Sequence, residues 1–138
     1  MAIPIATPDM IPPKYSPLWL GLDFADRAEL YRRIDLRVDI MLEQGLVKEI
    51  EDLLASGISA KATSMQAIGY KEFVNALSGQ GTIAEAAADV QQSSRRYAKR
   101  QLTWFRRNKQ INWLVREPGE GAGEILEKAR RIICDFDK

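Results

Sequence analysis

The sequence predicts a mainly α-helical fold of about five helices with one or two short strands. Two observations predict it. Apolar residues recur every three or four positions in five separate stretches, and three of these close on a glycine. Only two brief apolar runs, 18–22 and 111–115, suit extended chain. A length of 138 residues, 46% of them hydrophobic, suffices for one buried core. No internal repeat or low-complexity segment interrupts the pattern.

Residues 1–17 hold five of the six prolines, which fix φ and remove donors, so an extended lead-in is expected there, with the folded part over 18–138. The run 18–22 (Leu-Trp-Leu-Gly-Leu), bounded by Pro17 and Asp23, reads as a strand. Asp26 with Glu29 resembles a capping box opening a first helix, whose inner face is Leu30, Ile34, Val38, Met41 and Leu42 and whose stop is Gly45. A second helix turns Val47, Ile50, Leu53 and Leu54 inward and ends at Gly57. After a loop over 58–64, a short third helix carries Tyr70, Phe73, Val74 and Leu77 and closes at Gly79. Thr82 and Glu85 form a second capping box, opening a long fourth helix that Asn108 breaks. The run 111–115 is the second strand, and a glycine-rich loop leads to a last helix with Ile125, Ala129, Ile132, Ile133 and Phe136 on one face. Neither strand has an obvious partner, so part of a sheet is expected to be missing. Leu18, Trp19, Leu20, Trp113 and Leu114 should then lean on each other or drive self-association.

Composition excludes several kinds of chemistry. The formal net charge is +1, and there is no histidine, which removes His-based triads, zinc–histidine sites and imidazole acid–base work. The single cysteine, Cys134, cannot form an internal disulfide and points to a reduced, cytosolic setting. No apolar run approaches membrane-spanning length, and no signal-peptide pattern opens the chain. Neither a GxxxxGK[ST] loop nor a GxGxxG motif is present, so nothing here cradles a nucleotide phosphate by itself. No metal-ligand cluster or paired acid–base carboxylates can be recognised.

Charge is distributed far from evenly. Residues 95–109 contain seven cations and no acid, interleaved with Tyr97, Trp104 and Phe105. On a helix, Arg95, Lys99 and Arg106 fall nearly in line, Arg96, Arg100 and Arg107 form a second line, and together they span an arc of about 140°. Tyr97 and Trp104 continue the side of Ile83, Ala87 and Val90, which places them on a stripe expected to face the core. An ordinary charged helix face is merely solvated. Cations wanting phosphates beside flat rings on which bases stack instead favour RNA as the partner. A second candidate is Gln66-Ala67-Ile68-Gly69-Tyr70-Lys71, where a glycine near a helix start either packs closely or offers amide donors to an anion.

Three blocks taken together carry a resemblance. They are Leu30-Tyr31-x-x-Ile34-x-x-Arg37-Val38-Asp39-x-Met41-Leu42-x-x-Gly45-Leu46, then Gln66-Ala67-Ile68-Gly69-Tyr70-Lys71-Glu72, then Arg96-Tyr97-Ala98-Lys99-Arg100-Gln101-x-Thr103-Trp104-Phe105-Arg106. In this order and spacing they resemble the C-terminal half of the tRNA dimethylallyltransferases, also called tRNA isopentenylpyrophosphate transferases. Such enzymes move a dimethylallyl group from its diphosphate to N6 of the adenosine beside the anticodon. The resemblance implies that this chain is the C-terminal part of a P-loop-type α/β core whose N-terminal half is absent. It also implies contact with the anticodon stem-loop of tRNA through Gln66, Gly69, Tyr70, Lys71, Lys99, Arg100, Gln101, Thr103 and Arg106, and of Arg37 with the substrate diphosphate. Mg²⁺ and dimethylallyl diphosphate are implied for the intact enzyme. The family's phosphate loop and its catalytic aspartate have no counterpart in this sequence, so the chain alone is expected to be inactive. A stand-alone helical RNA-binding module is the alternative reading.

Overall fold

Caps and stops cut the chain into the expected helices. The computed structural model describes residues 14–136, so most of the proline-rich lead-in lies outside the described residues. The order is β1 (Trp19–Phe24), α1 (Arg27–Glu43), α2 (Leu46–Ala55), a 3-10 turn (Thr63–Gln66), α3 (Lys71–Leu77), α4 (Ile83–Phe105), β2 (Ile111–Arg116) and α5 (Ala122–Phe136). Thr82 and Glu85 form the complete capping box at the start of α4. At α1 only half of the expected box exists. Asp26 accepts from the amide of Ala28, but Glu29 turns away to Arg32 and Arg33, whose positive charge draws it off the backbone. Gly45 takes φ +96° between α1 and α2, a conformation in which a Cβ would be strained, and so turns the chain back on itself.

The core lies among α1, α2, α3 and the first half of α4. Val38, Leu46, Ile50, Met65, Phe73, Val74, Ala86 and Val90 form it, with Phe73 and Ile50 fully enclosed. Burying these side chains contributes roughly 1.5–3 kcal/mol for each large one. That apolar contact stops at Val90. Beyond it α4 has no buried residue, although the helix continues for fifteen more positions to Phe105.

The two strands are not isolated. β1 pairs with β2 in parallel, from Trp19 opposite Ile111 to Phe24 opposite Arg116. A parallel pair needs a long crossover, and all the residues of α1 to α4 supply it. Local pattern could not reveal the pairing because the partners are about ninety residues apart. Gly21 makes the close approach possible: a Cβ there would meet Ile111 Cγ2 at 2.7 Å and the Trp113 ring at 2.8 Å. The expected leaning of β1 on Trp113 is therefore present as a strand pair. The sheet remains two strands wide among the described residues, and Trp19, Leu20 and Leu22 stay exposed. α5 packs along β2, and Lys128 donates to the Val115 carbonyl at 2.8 Å and to Glu120 at 2.6 Å. Its expected apolar face is only half covered, with Ile133 and Phe136 exposed. No described helix is long and apolar enough to cross a membrane.

Candidate nucleic-acid interface

Seven cations in fifteen residues repel one another, and the fold resolves this in two ways. Two members of the first line, Arg95 and Arg106, are tied down, while its third, Lys99, faces out with the second line. Arg95 pairs with Asp35 of α1, while Gln91, one turn earlier, donates to Asp39 at 2.9 Å and to the Asp35 carbonyl at 3.2 Å. Arg106 pairs with Asp23 of β1 at 2.6 Å. Asp23 is 6% exposed, and its other oxygen accepts the Phe24 amide at 2.8 Å. Arg95 and Arg106 are thus each engaged by a carboxylate, Arg95 half-buried and Arg106 still exposed, where helical phase alone places both on a free outward arc. Phase gives direction about the axis but not what stands opposite.

The second line faces out. Arg96, Lys99, Arg100, Thr103, Trp104 and Arg107 line a shallow open groove along the last three turns of α4. None of these four cations has a carboxylate partner among the described residues, and Arg100 lies over the Tyr97 ring at 6.0 Å. Gln101 is exposed on the same half of the helix, and the Thr103 hydroxyl donates back to the Lys99 carbonyl at 2.9 Å. An unneutralised row of this kind weakens an isolated helix by a few tenths of a kcal/mol per pair. No carboxylate among the described residues offsets that.

The aromatic stripe also departs from expectation. Tyr97 is 54% and Trp104 64% exposed, and Phe105 is exposed with its ring edge-on to Trp104 at 5.1 Å. They continue the side of Val90, yet no described element lies over them, because the core ends at Val90. Trp104→Ala should therefore change stability by less than about 0.5 kcal/mol, instead of the ~3–5 kcal/mol of a buried aromatic. Chemical denaturation of the variant checks this, and a midpoint unchanged from the parent is the expected result.

The other candidate stretch enters α3. Gly69 is buried at φ +93°, and a Cβ on it would lie 4.0 Å from Val90 Cγ1, so this loop abuts α4 just before its exposed half. The Gly69 amide is already engaged, donating to Glu72 at 3.0 Å. That internal carboxylate occupies the donor which the sequence offers to an external anion. Gln66 and Lys71 are exposed, with Gln66 donating to the Ala60 carbonyl at 2.9 Å. The Tyr70 hydroxyl donates to Glu49 of α2, and that bond to a carboxylate raises its pKa above the ordinary tyrosine value. The folded pKa being the higher, this bond adds stability below the ordinary tyrosine value, and the contribution is lost as pH rises through the folded one. Glu49→Gln should return the Tyr70 titration toward the ordinary value, which carbon NMR of labelled tyrosine reads directly.

Arg37 stands apart from these groups. It is exposed on α1, about 160–200° round the helix from Asp35 and Asp39, which face α4. There it borders a groove with Arg33, Leu36, Ile40, Met41 and Gln44. Sequence reasoning missed the acidic partners Asp23, Asp35, Asp39, Glu49 and Glu72. None carried a local signal: Asp23 reads in the sequence as the boundary of the run 18–22, and only the structure carries β1 through it to Phe24. Among the described residues no group of three or more His, Cys, Asp or Glu could hold a metal ion.

Comparison with known proteins bears on this arrangement. The family model for IPP transferases matches residues 4–108, which include Arg37, the stretch 66–71 and the cationic stretch except Lys109. The chain belongs to the IPP transferase family. The tRNA dimethylallyltransferase of Desulforudis audaxviator is 47% identical over 127 residues, covering 91% of this chain and 39% of the relative. That of Clostridioides difficile is 45% identical over 125 residues, covering 91% and 40%. Two solved structures of family members superpose well. The tRNA delta(2)-isopentenylpyrophosphate transferase of Staphylococcus epidermidis gives a TM-score of 0.79 at 38% identity, over 88% of this chain and 39% of that one. The full-length tRNA isopentenylpyrophosphate transferase of Bacillus halodurans gives 0.78 at 40% identity, over 87% and 39%. As an IPP transferase chain, the protein spans about two fifths of the length of the relatives it matches.

Proposed function

We propose that this chain is the C-terminal, tRNA-binding portion of a tRNA dimethylallyltransferase, acting in the cytoplasm on the adenosine next to the anticodon. The observation that carries the reading is the outward row of Arg96, Lys99, Arg100 and Arg107, unneutralised and set beside the exposed Trp104 ring. Phosphates satisfy such a row and unpaired bases satisfy the ring, which is the chemistry of an RNA loop and not of an apolar partner. In this reading Lys99, Arg100, Gln101 and Thr103 meet the anticodon stem-loop. Gln66, Gly69, Tyr70 and Lys71 meet it from the adjoining loop. Gly69 serves there by its fold, since its amide is taken, and Arg106 belongs with the supports of the row. Arg37, on the far side of α1, is the group in this chain available to the substrate diphosphate.

Prenyl transfer needs the leaving diphosphate stabilised and the adenine amine aligned with it. Among the described residues we assign Arg37 to the first task and no group to the second. We therefore assign the phosphate loop, the catalytic aspartate and the Mg²⁺ site to an N-terminal half of the same enzyme. The exposed Trp19, Leu20 and Leu22 of β1 are the surface on which that half would continue the sheet, and on which this chain alone would self-associate. Dimethylallyl diphosphate with Mg²⁺ and this chain alone should leave tRNA unprenylated, as followed by transfer of a labelled prenyl group. Incorporation above a protein-free control would overturn the assignment. A stand-alone RNA-binding module is favoured by one observation, that the four outward cations all come from α4 and its end. Activity appearing when a phosphate-loop half is added back excludes that alternative.

A further inference from the structure

We propose that Asp23 is a positioning residue for the RNA-facing row of α4, an inference that rests on the reading of that row as an RNA contact. The second half of α4 contributes no fully buried side chain, and of its apolar residues only Ala98 and Leu102 are half-buried, so apolar packing holds it weakly. Two ties on one side of the helix take over that work. They are Arg95–Asp35 and Arg106–Asp23, eleven residues or about three turns apart. The first tie stands one turn from Val90, where the core already holds the helix. The second stands at the far end, where it is the only ion pair between α4 and the sheet among the described residues. Asp23 is suited to act as a fixed anchor. It sits on a strand paired in register with β2, is 6% exposed, and both carboxylate oxygens are engaged, one by its own strand's Phe24 amide and one by Arg106. With Arg106 tied to β1, Arg96, Arg100 and Arg107 lie some 80–120° round the helix from the tie and are left to face the groove. Arg106 is thereby a strut of the interface more than a part of it.

The test uses the sign of an electrostatic effect. Asp23→Asn makes the chain one unit more positive and frees Arg106. If Asp23 merely screened Arg106, the variant would bind an anticodon stem-loop RNA more tightly, with a log–log salt dependence steeper by about one. A positioning role requires the opposite: binding about tenfold weaker and a slope no steeper. Hydrogen exchange of the amides from 96 to 106 should also accelerate about tenfold, with those of α1 and α3 unchanged. Tighter binding, or parental exchange over 96 to 106, overturns the proposal. Arg100→Ala, an outward cation free of ion pairs, runs in parallel. If it too leaves RNA binding unchanged, the RNA reading fails. If it weakens binding while Asp23→Asn does not, only the positioning role fails. Should Asp23→Asn not fold, the double variant Asp23→Asn/Arg106→Gln removes both charges and leaves no buried ion. Parental exchange over 96 to 106 in that variant refutes the proposal whatever its affinity, and acceleration confined to that segment supports it.

Discussion

A variant with Arg96, Arg100 and Arg107 all changed to alanine is expected to lose most of its RNA affinity while keeping its melting temperature. Each phosphate contact contributes about 0.7–0.9 to the slope of log affinity against log salt, so three lost contacts flatten it by roughly 2–3. Near 0.1 M salt that corresponds to about a tenfold loss per contact, or 10²–10³ in all. Stability should hold for three reasons. These guanidiniums lie on the open groove and have no ion-pair partner among the described residues. Alanine has the higher helix propensity, and removing like charges three or four positions apart relieves repulsion. A melting temperature lowered by more than about 5 °C would mean that the row packs against something within the fold. An unchanged salt slope would mean that no phosphate is held there.

Phe73→Ala should give the reverse pattern. Phe73 is fully enclosed where α3 meets the rest of the helical core, and it is the largest side chain so buried. Truncating a buried aromatic removes its transfer free energy and leaves a cavity, at a cost of about 3–5 kcal/mol. For a domain of this size that lowers the melting temperature by roughly 10–15 °C. The outward row lies on another face of α4, so RNA affinity below the melting point should stay near the parental value. Urea unfolding checks the mechanism. The midpoint should fall with the slope unchanged, because the same surface is exposed when the chain unfolds.

Much of the local structure was legible in the sequence because its causes are local. Caps and glycine stops act within four residues, so Thr82 with Glu85, Gly45 and the ends of the first three helices could be read directly. The half-formed box at Asp26 shows the limit of such reading, since Glu29 had two arginines within reach as well as the backbone. Sheet pairing was illegible for the same reason. β1 and β2 each look partnerless, and the groups that join them are separated by four helices.

Local sequence was enough for the helical period, for the core positions Val38, Ile50, Phe73, Val74 and Val90, for the concentration of positive charge on α4 and for the family to which the blocks correspond. Leu46, Met65 and Ala86 join the core, and Ile83 stays exposed, only through the packing. Tertiary structure decided what each face of α4 meets. Arg95 and Arg106 look like the other cations, yet their partners Asp35 and Asp23 come from 60 and 83 residues away and neutralise them. Trp104 and Tyr97 share a stripe with Val90, yet no described element stands opposite and they remain exposed. Helical phase sets the direction of a side chain. Whether that direction ends in a core, a carboxylate or solvent depends on which distant segments pack alongside, and that is a property of the folded chain.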